Sequence, residues 1–177
     1  MMNSKNSDIP VIETARTILR PHRLSDYEAS LALWADMAVT RFIGGRPSTG
    51  EEVWARLLRY AGLWKMLGYG YWVVDERDTG RFLGEVGFQD VKRDIEPDFG
   101  GAPEAGWVIA PAAHGKGFAS EVVTAIHEWA DRNFGGKRTV CIIDPDNLPS
   151  IRLAEKSGYR EVTRTTYKGS AVILFER

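Results

Sequence analysis

Two short stretches of this chain hold residues whose types and spacing could do chemistry. The first is Pro111-Ala112-Ala113-His114-Gly115-Lys116-Gly117-Phe118-Ala119. Its two glycines stand between a strand-like run and a strongly amphipathic helical pattern. Glycine lets a backbone approach a ligand closely. The free N–H groups of a helix's first turn, together with its dipole, favour an anion there. The pattern suits a phosphate, although two glycines can equally serve a plain strand-to-helix turn. A dinucleotide fingerprint is nearly met but fails. Ser120 replaces the third glycine, Pro111 to His114 lengthen the turn, and too little chain follows Asp144 for a doubly wound sheet. A P-loop is absent, because the earlier glycine and the Lys-Ser/Thr pair are missing. The second stretch, Asn147-Leu148-Pro149-Ser150-Ile151-Arg152-Leu153-Ala154-Glu155-Lys156-Ser157-Gly158-Tyr159, follows an apolar run and reads as a turn feeding a short helix.

Taken together, in order and each behind a strand, the two stretches resemble the GNAT superfamily of N-acetyltransferases. The family's Gln/Arg-x-x-Gly-x-Gly/Ala motif is met by Gly117 and Ala119, with His114 in the first place. Its Asn-x-x-Ser/Ala motif, with a helix closing in Glu-Lys-x-Gly-Phe/Tyr, is met by Asn147, Ser150 and Glu155 to Tyr159. Thr17-Ile18-Leu19-Arg20-Pro21 and Glu104-Ala105-Gly106-Trp107-Val108-Ile109 look like the branch of ribosomal-protein N-terminal (alanine/serine) acetyltransferases. The resemblance covers about residues 14–176.

The resemblance implies acetyl-CoA as cosubstrate and a primary amine as acceptor, either a protein N-terminus or a small molecule. It implies an α/β (mixed α+β) fold: a mostly antiparallel sheet with a parallel, splayed central strand pair and helices on both faces. The pyrophosphate would lie on His114, Gly115, Lys116, Gly117, Phe118 and Ala119. The pantetheine arm would run beside Trp107, Val108 and Ile109, with Asn147, Ser150 and Arg152 completing the cofactor site. An amine attacking a thioester needs a donor for the oxyanion and an acid for the leaving thiolate. A backbone N–H near Val108 or Ile109 would serve the first and Ser150 the second. Serine is also a favoured helix cap. The tyrosine acid common in the family would fall at position 154, which is Ala154 here. That departure keeps open a non-catalytic, CoA-binding regulatory module. Glu104 is the candidate base, against its plain reading as a solvated strand-end charge. Glu85 is a weaker candidate.

Several elements must position these residues. Thr17 to Arg20 reads as a strand, since the residue before Pro21 avoids the helical region. Ser25-Asp26 is a candidate helix cap, and Ser48 or Thr49 caps a second helix opening with Glu51-Glu52. Tyr71–Asp75 and Arg81–Phe88 read as a hairpin, residues 92–103 as a loop, and Glu104–Ile109 as a strand. Phe118, Val122, Val123, Ile126, Trp129 and Ala130 form one apolar helix stripe. Thr139–Ile143 is a buried strand, parallel to Glu104–Ile109 through a right-handed crossover. Ser150–Ser157 is a short helix, and a hairpin turning at Lys168-Gly169 closes the chain.

The 177 residues suit one domain, residues 13–177, behind a polar tail of residues 1–12 expected to be flexible. With 23 basic and 24 acidic residues, the net charge of −1 argues against bulk attraction to nucleic acid or anionic membrane. No transmembrane run or secretory leader is evident, so a cytoplasmic location is expected. Cys141 is the only cysteine, and the three histidines lack ligand spacing, so no metal is expected. No feature fixes an oligomeric state.

Overall fold

Residues 9–177 are described by the computed structural model. Most of the expected tail, residues 1–8, lies outside them. The fold starts before residue 13, because Pro10 accepts a 2.7 Å hydrogen bond from the Trp72 indole. Ile9 and Ile12 also pack on the core.

The sheet contains β1 (Ile12–Glu13), β2 (Thr17–Arg20), β3 (Tyr71–Glu76), β4 (Phe82–Gln89), β5 (Glu104–Ile109), β6 (Val140–Ile143), β7 (Arg160–Tyr167) and β8 (Ser170–Glu176). Their spatial order is β1-β2-β3-β4-β5-β6-β8-β7. Every neighbouring pair is antiparallel except β5 and β6, which run parallel and register only at Glu104 opposite Val140. The expected parallel, splayed pair is therefore present. Among the described residues, β6 registers with nothing in β5 beyond Glu104.

Helices cover both faces, and β5 shows how. Alternate residues of a strand point to opposite sides. Ile109 packs with the stripe of α4 (Phe118–Asn133), namely Phe118, Val122, Val123, Ile126 and Ala130. Its neighbour Val108 packs instead with Leu33 and Trp34 of α1 (Tyr27–Ala35) and Val53 of α3 (Gly50–Leu67). A one-turn α2 (Met37–Thr40) connects α1 and α3. Of the two candidate caps, Thr49 is the one used, and it forms a reciprocal capping box with Glu52 at the start of α3.

Asp26 does not cap α1 as expected. It precedes Tyr27 without a capping bond, because its carboxylate is committed to Arg20 at two 2.8 Å contacts. Arg20 also binds Asp75 of β3. The Arg20-Pro21 pair thus ties the end of β2 to both α1 and β3. The last helix, α5 (Leu148–Lys156), begins two residues earlier than expected, because Asn147 supplies the cap. Among the described residues, no helix is long and apolar enough to cross a membrane.

Candidate active site

The end of β5 leads through a tight turn at Pro111–Ala113 to the two glycines. Gly115 has φ +72° and Gly117 has φ +80°, a region costly for residues with a Cβ. Gly117 precedes α4 with no side chain capping the helix. The orphan N–H groups of a 16-residue helix therefore face outward at this turn. His114 donates from Nε2 to the Ile109 carbonyl at 2.7 Å, fastening the loop to β5. Lys116 bends back to the Ala112 carbonyl at 2.9 Å. Arg152 is exposed, and Lys156 donates to Ser120 in the first turn of α4 at 3.0 Å.

A residue absent from the sequence reading braces this loop. Arg16 donates to the Lys116 carbonyl at 2.8 Å and to Glu121 at 2.8 Å, and lies 4.4 Å over the Phe118 ring. A Cβ on Gly117 would come within 3.3 Å of its guanidinium. Bulk at Gly117 thus meets both a left-handed backbone and Arg16.

Ser150 sits beside the splay. It is the third helical residue of α5, and its N–H donates to Asn147 Oδ1 at 3.3 Å. Asn147 is therefore the cap and the Ser150 hydroxyl is not used for that purpose. That hydroxyl accepts from Trp107 Nε1 at 3.3 Å, linking α5 to β5. Its own proton remains available for donation. Ala154, one turn on, is fully buried. Cys141 is also buried, and desolvation, with Glu104 adding to it, pushes its thiol well above the ordinary range. Such a thiol is a poor nucleophile. Cys141→Ala is expected to keep most of the transfer activity; an acetyl adduct on Cys141 in intact-mass spectra would contradict that.

The opposite face of β5 carries a second polar group. Glu85 on β4 lies directly beside Val108 and is 1% exposed. It accepts from Ser30 at 2.7 Å and from the Trp34 indole at 2.8 Å, and lies 3.4 Å from His22 Nε2. Burial pushes its carboxyl upward, but the bonds from His22, Ser30 and Trp34 outweigh it and hold it below the usual range. Nearby, Tyr60 and Tyr71 stack with centroids 4.4 Å apart. The Tyr71 side chain crosses Gly87 toward β5, and a Cβ on Gly106 would collide with its hydroxyl. Burial pushes both tyrosines upward, so each keeps its phenolic proton.

Glu104 is not a solvated strand-end charge. It is 5% exposed, and Arg93 holds both its oxygens, at 2.6 and 2.8 Å. Arg93 also lies 4.8 Å over the Tyr167 ring. Glu104 also stands at the closed end of the β5–β6 pair, away from Trp107–Ile109. Glu104→Gln should therefore act on stability, costing about 3 kcal/mol because Arg93 loses its buried partner. For a chain of this size that lowers the melting point by roughly 6–12 °C. A catalytic base would instead move the pH–rate profile and spare the melting point.

Of the histidines, His127 is structural. It bridges the Val123 carbonyl and the Tyr159 hydroxyl at 2.7 and 2.8 Å, and burial pushes its pKa down. His22, unremarkable in sequence, belongs to the Glu85 group. Among the described residues, no cluster of His, Cys, Asp and Glu is arranged to hold a metal.

Residues 16–160 match the family described as Acetyltransferase (GNAT) domain. Over 153 residues the chain is 29% identical to an N-acetyltransferase of Bacillus subtilis, YoaA, covering 86% of this chain and 84% of that one. A solved structure described as a GnaT-family acetyltransferase from Bordetella pertussis is 33% identical. It superposes with a TM-score of 0.84 over 96% of this chain and 99% of the other. RimL, a ribosomal α-N-protein acetyltransferase in complex with coenzyme A, is 18% identical and shares the fold at a TM-score of 0.76. That match covers 95% and 97% of the two chains.

Proposed function

This chain belongs to the GNAT acetyltransferase family and is an acyltransferase; from that premise we propose that it transfers acetyl from acetyl-CoA directly to a primary amine. One observation carries this reading. The uncapped glycine turn before α4 follows β5, β5 meets β6 only at Glu104, and the Ser150 hydroxyl is bonded to Trp107 of that same strand. A diphosphate suits the first, a two-amide arm the second and a leaving thiolate the third.

In this reading Gly115 to Ala119 present backbone N–H groups to the pyrophosphate, with His114 and Arg16 holding the loop rigid. Trp107 to Ile109 offer the strand edge, and an N–H near Val108 or Ile109 meets the oxyanion. The amine enters from the α1–α3 face, beside Glu85, His22 and Tyr71. It attacks the thioester carbon, the C–S bond breaks, and Ser150 gives its proton to the sulfur, regaining one from water. The amine's proton leaves to solvent, while Glu85 with His22, Ser30 and Trp34 and Glu104 with Arg93 hold the strands that line the site. A protein N-terminus is the favoured acceptor class, consistent with the branch that the N-terminal and β5 segments resemble.

The test is release of CoA thiol from acetyl-CoA against a panel of N-terminal peptides, amino acids and polyamines, with products read by mass spectrometry. An acetylated amine is expected. The rate should rise through about pH 8 for an α-amine and only toward about pH 10 for a lysine amine, following the neutral fraction. Binding of acetyl-CoA without thiol release to any amine would reduce the chain to a CoA-binding module.

A further inference from the structure

Two arginines of α3 lie on the acceptor side with no acidic partner. Arg56 lies with its guanidinium 3.6 Å from the centroid of the Trp34 ring, and its Nε–H is buried without a hydrogen-bond partner. Arg59, one turn along the same edge, lies 5.7 Å from the Tyr60 centroid. Among the described residues neither makes an ion pair. The acids around them are already taken. Glu52, four residues before Arg56, is bound to Arg46 and to the Thr49 N–H. Glu85 is satisfied by Ser30, Trp34 and His22, and Glu104 by Arg93. Burying a donor of a charged group without a partner is costly, and such groups are normally paired.

The position of Arg56 is informative. Trp34 stacks under it and donates to Glu85, and Glu85 lies beside Val108 of β5. Arg56 is thus two side chains from the strand where the thioester would lie. Stacking on an indole fixes the plane of the guanidinium and leaves its edge free. That edge matches a carboxylate with two parallel N–H donors.

We propose that Arg56, assisted by Arg59, is a specificity-determining pair that binds a carboxylate carried by the acceptor close to its reactive amine. This rests on the acetyl-transfer reading above. The shared chemistry is an α-amine beside a carboxylate, supplied by a free amino acid or by a peptide with an acidic residue next to its N-terminus. A polyamine, cationic along its length, is repelled by the same two groups.

The experiment compares kcat/KM for matched acceptors: amino acids against their amides, and peptides beginning Ala-Asp against Ala-Asn, with spermidine as the cationic control. The carboxylate member is expected to lead by about 10-fold or more, the scale of a charge-assisted hydrogen bond. Whichever pair shows the lead identifies the source of the carboxylate. Arg56→Met, which keeps the stem over Trp34, should bring the ratio to within about 3-fold of unity. Arg56→Lys, which keeps the charge but loses the fork, should fall between. Equal rates within each pair, or spermidine as the best acceptor, would overturn the inference. If Arg56→Met does not fold, the native ratios still decide.

A measurement without turnover separates this inference from the proposed reaction. N-acetyl-alanine and its amide are titrated calorimetrically into the CoA-loaded protein. Preference for the acid without acetylation of any amine would refute the transfer reading and leave the carboxylate site standing. Acetylation without preference would do the reverse, and loss of both would refute both.

Discussion

Saturating acetyl-CoA is expected to raise the melting temperature by about 5–10 °C, and Gly117→Glu to abolish the rise. A ligand held only by the folded state at 100 times its Kd stabilises by about 2.7 kcal/mol, and each kcal/mol moves a chain of this size by roughly 2–4 °C. In the proposed reading the binding energy would come from the N–H groups of the α4 first turn, which have no side-chain cap. At Gly117 a side chain faces three obstacles. The backbone is left-handed at φ +80°, Arg16 stands 3.3 Å from the new Cβ, and a carboxylate would occupy the place of the phosphate. The conformational part costs about 1–2 kcal/mol, so the variant itself melts a few degrees lower but stays folded. Differential scanning fluorimetry of both proteins, with acetyl-CoA, NAD and ATP in parallel, checks the expectation. A larger shift with NAD, or an intact acetyl-CoA shift in Gly117→Glu, would remove the basis for the cosubstrate.

Ser150→Ala should lower kcat by about 10²-fold, the lower end of what a positioned proton donor contributes. The helix cap belongs to Asn147, so truncating Ser150 removes a hydroxyl without uncapping α5. The indole N–H of Trp107, a half-buried residue, loses its acceptor. The damage should therefore concentrate on the step in which charge gathers on sulfur. An interaction made only there changes kcat, while KM for acetyl-CoA and the melting shift stay within about twofold. Asn147→Ala offers the contrast, losing about 1 kcal/mol of stability as a cap does. A Ser150→Ala enzyme with native kcat and a raised KM would make Ser150 a binding residue.

Features written in neighbouring residues were legible in the sequence. The glycine turn ahead of the α4 stripe, the Asn147-to-Tyr159 motif and the cap at Thr49 are all local, so spacing along the chain decides their contacts. The splayed pair was legible by resemblance, since it follows from how the family's strands are joined. The groups built from distant residues were not. Arg16 reaches Glu121 across 105 positions, and His22 meets Glu85 across 63. Nothing local marks either pair. For Glu104 the sequence offers a base or a solvated strand-end charge; the ion pair with Arg93 is in neither reading, because Arg93 comes from a loop whose path the sequence does not reveal. Trp34 packs in a core cluster and also donates its indole N–H to Glu85. A tryptophan's period on a helix reports only the first of these.

The single rung between β5 and β6 has a mechanical meaning. The sheet is two plates, β1 to β5 and β6 to β8, joined at Glu104 and Val140 and otherwise strapped together by α4 and its packing. In the proposed reading a molecule seated in the gap would stand where a missing strand would and would act as a splint between the plates. Loading the gap should therefore make the two plates melt as one body, so that the unfolding transition becomes steeper as well as hotter.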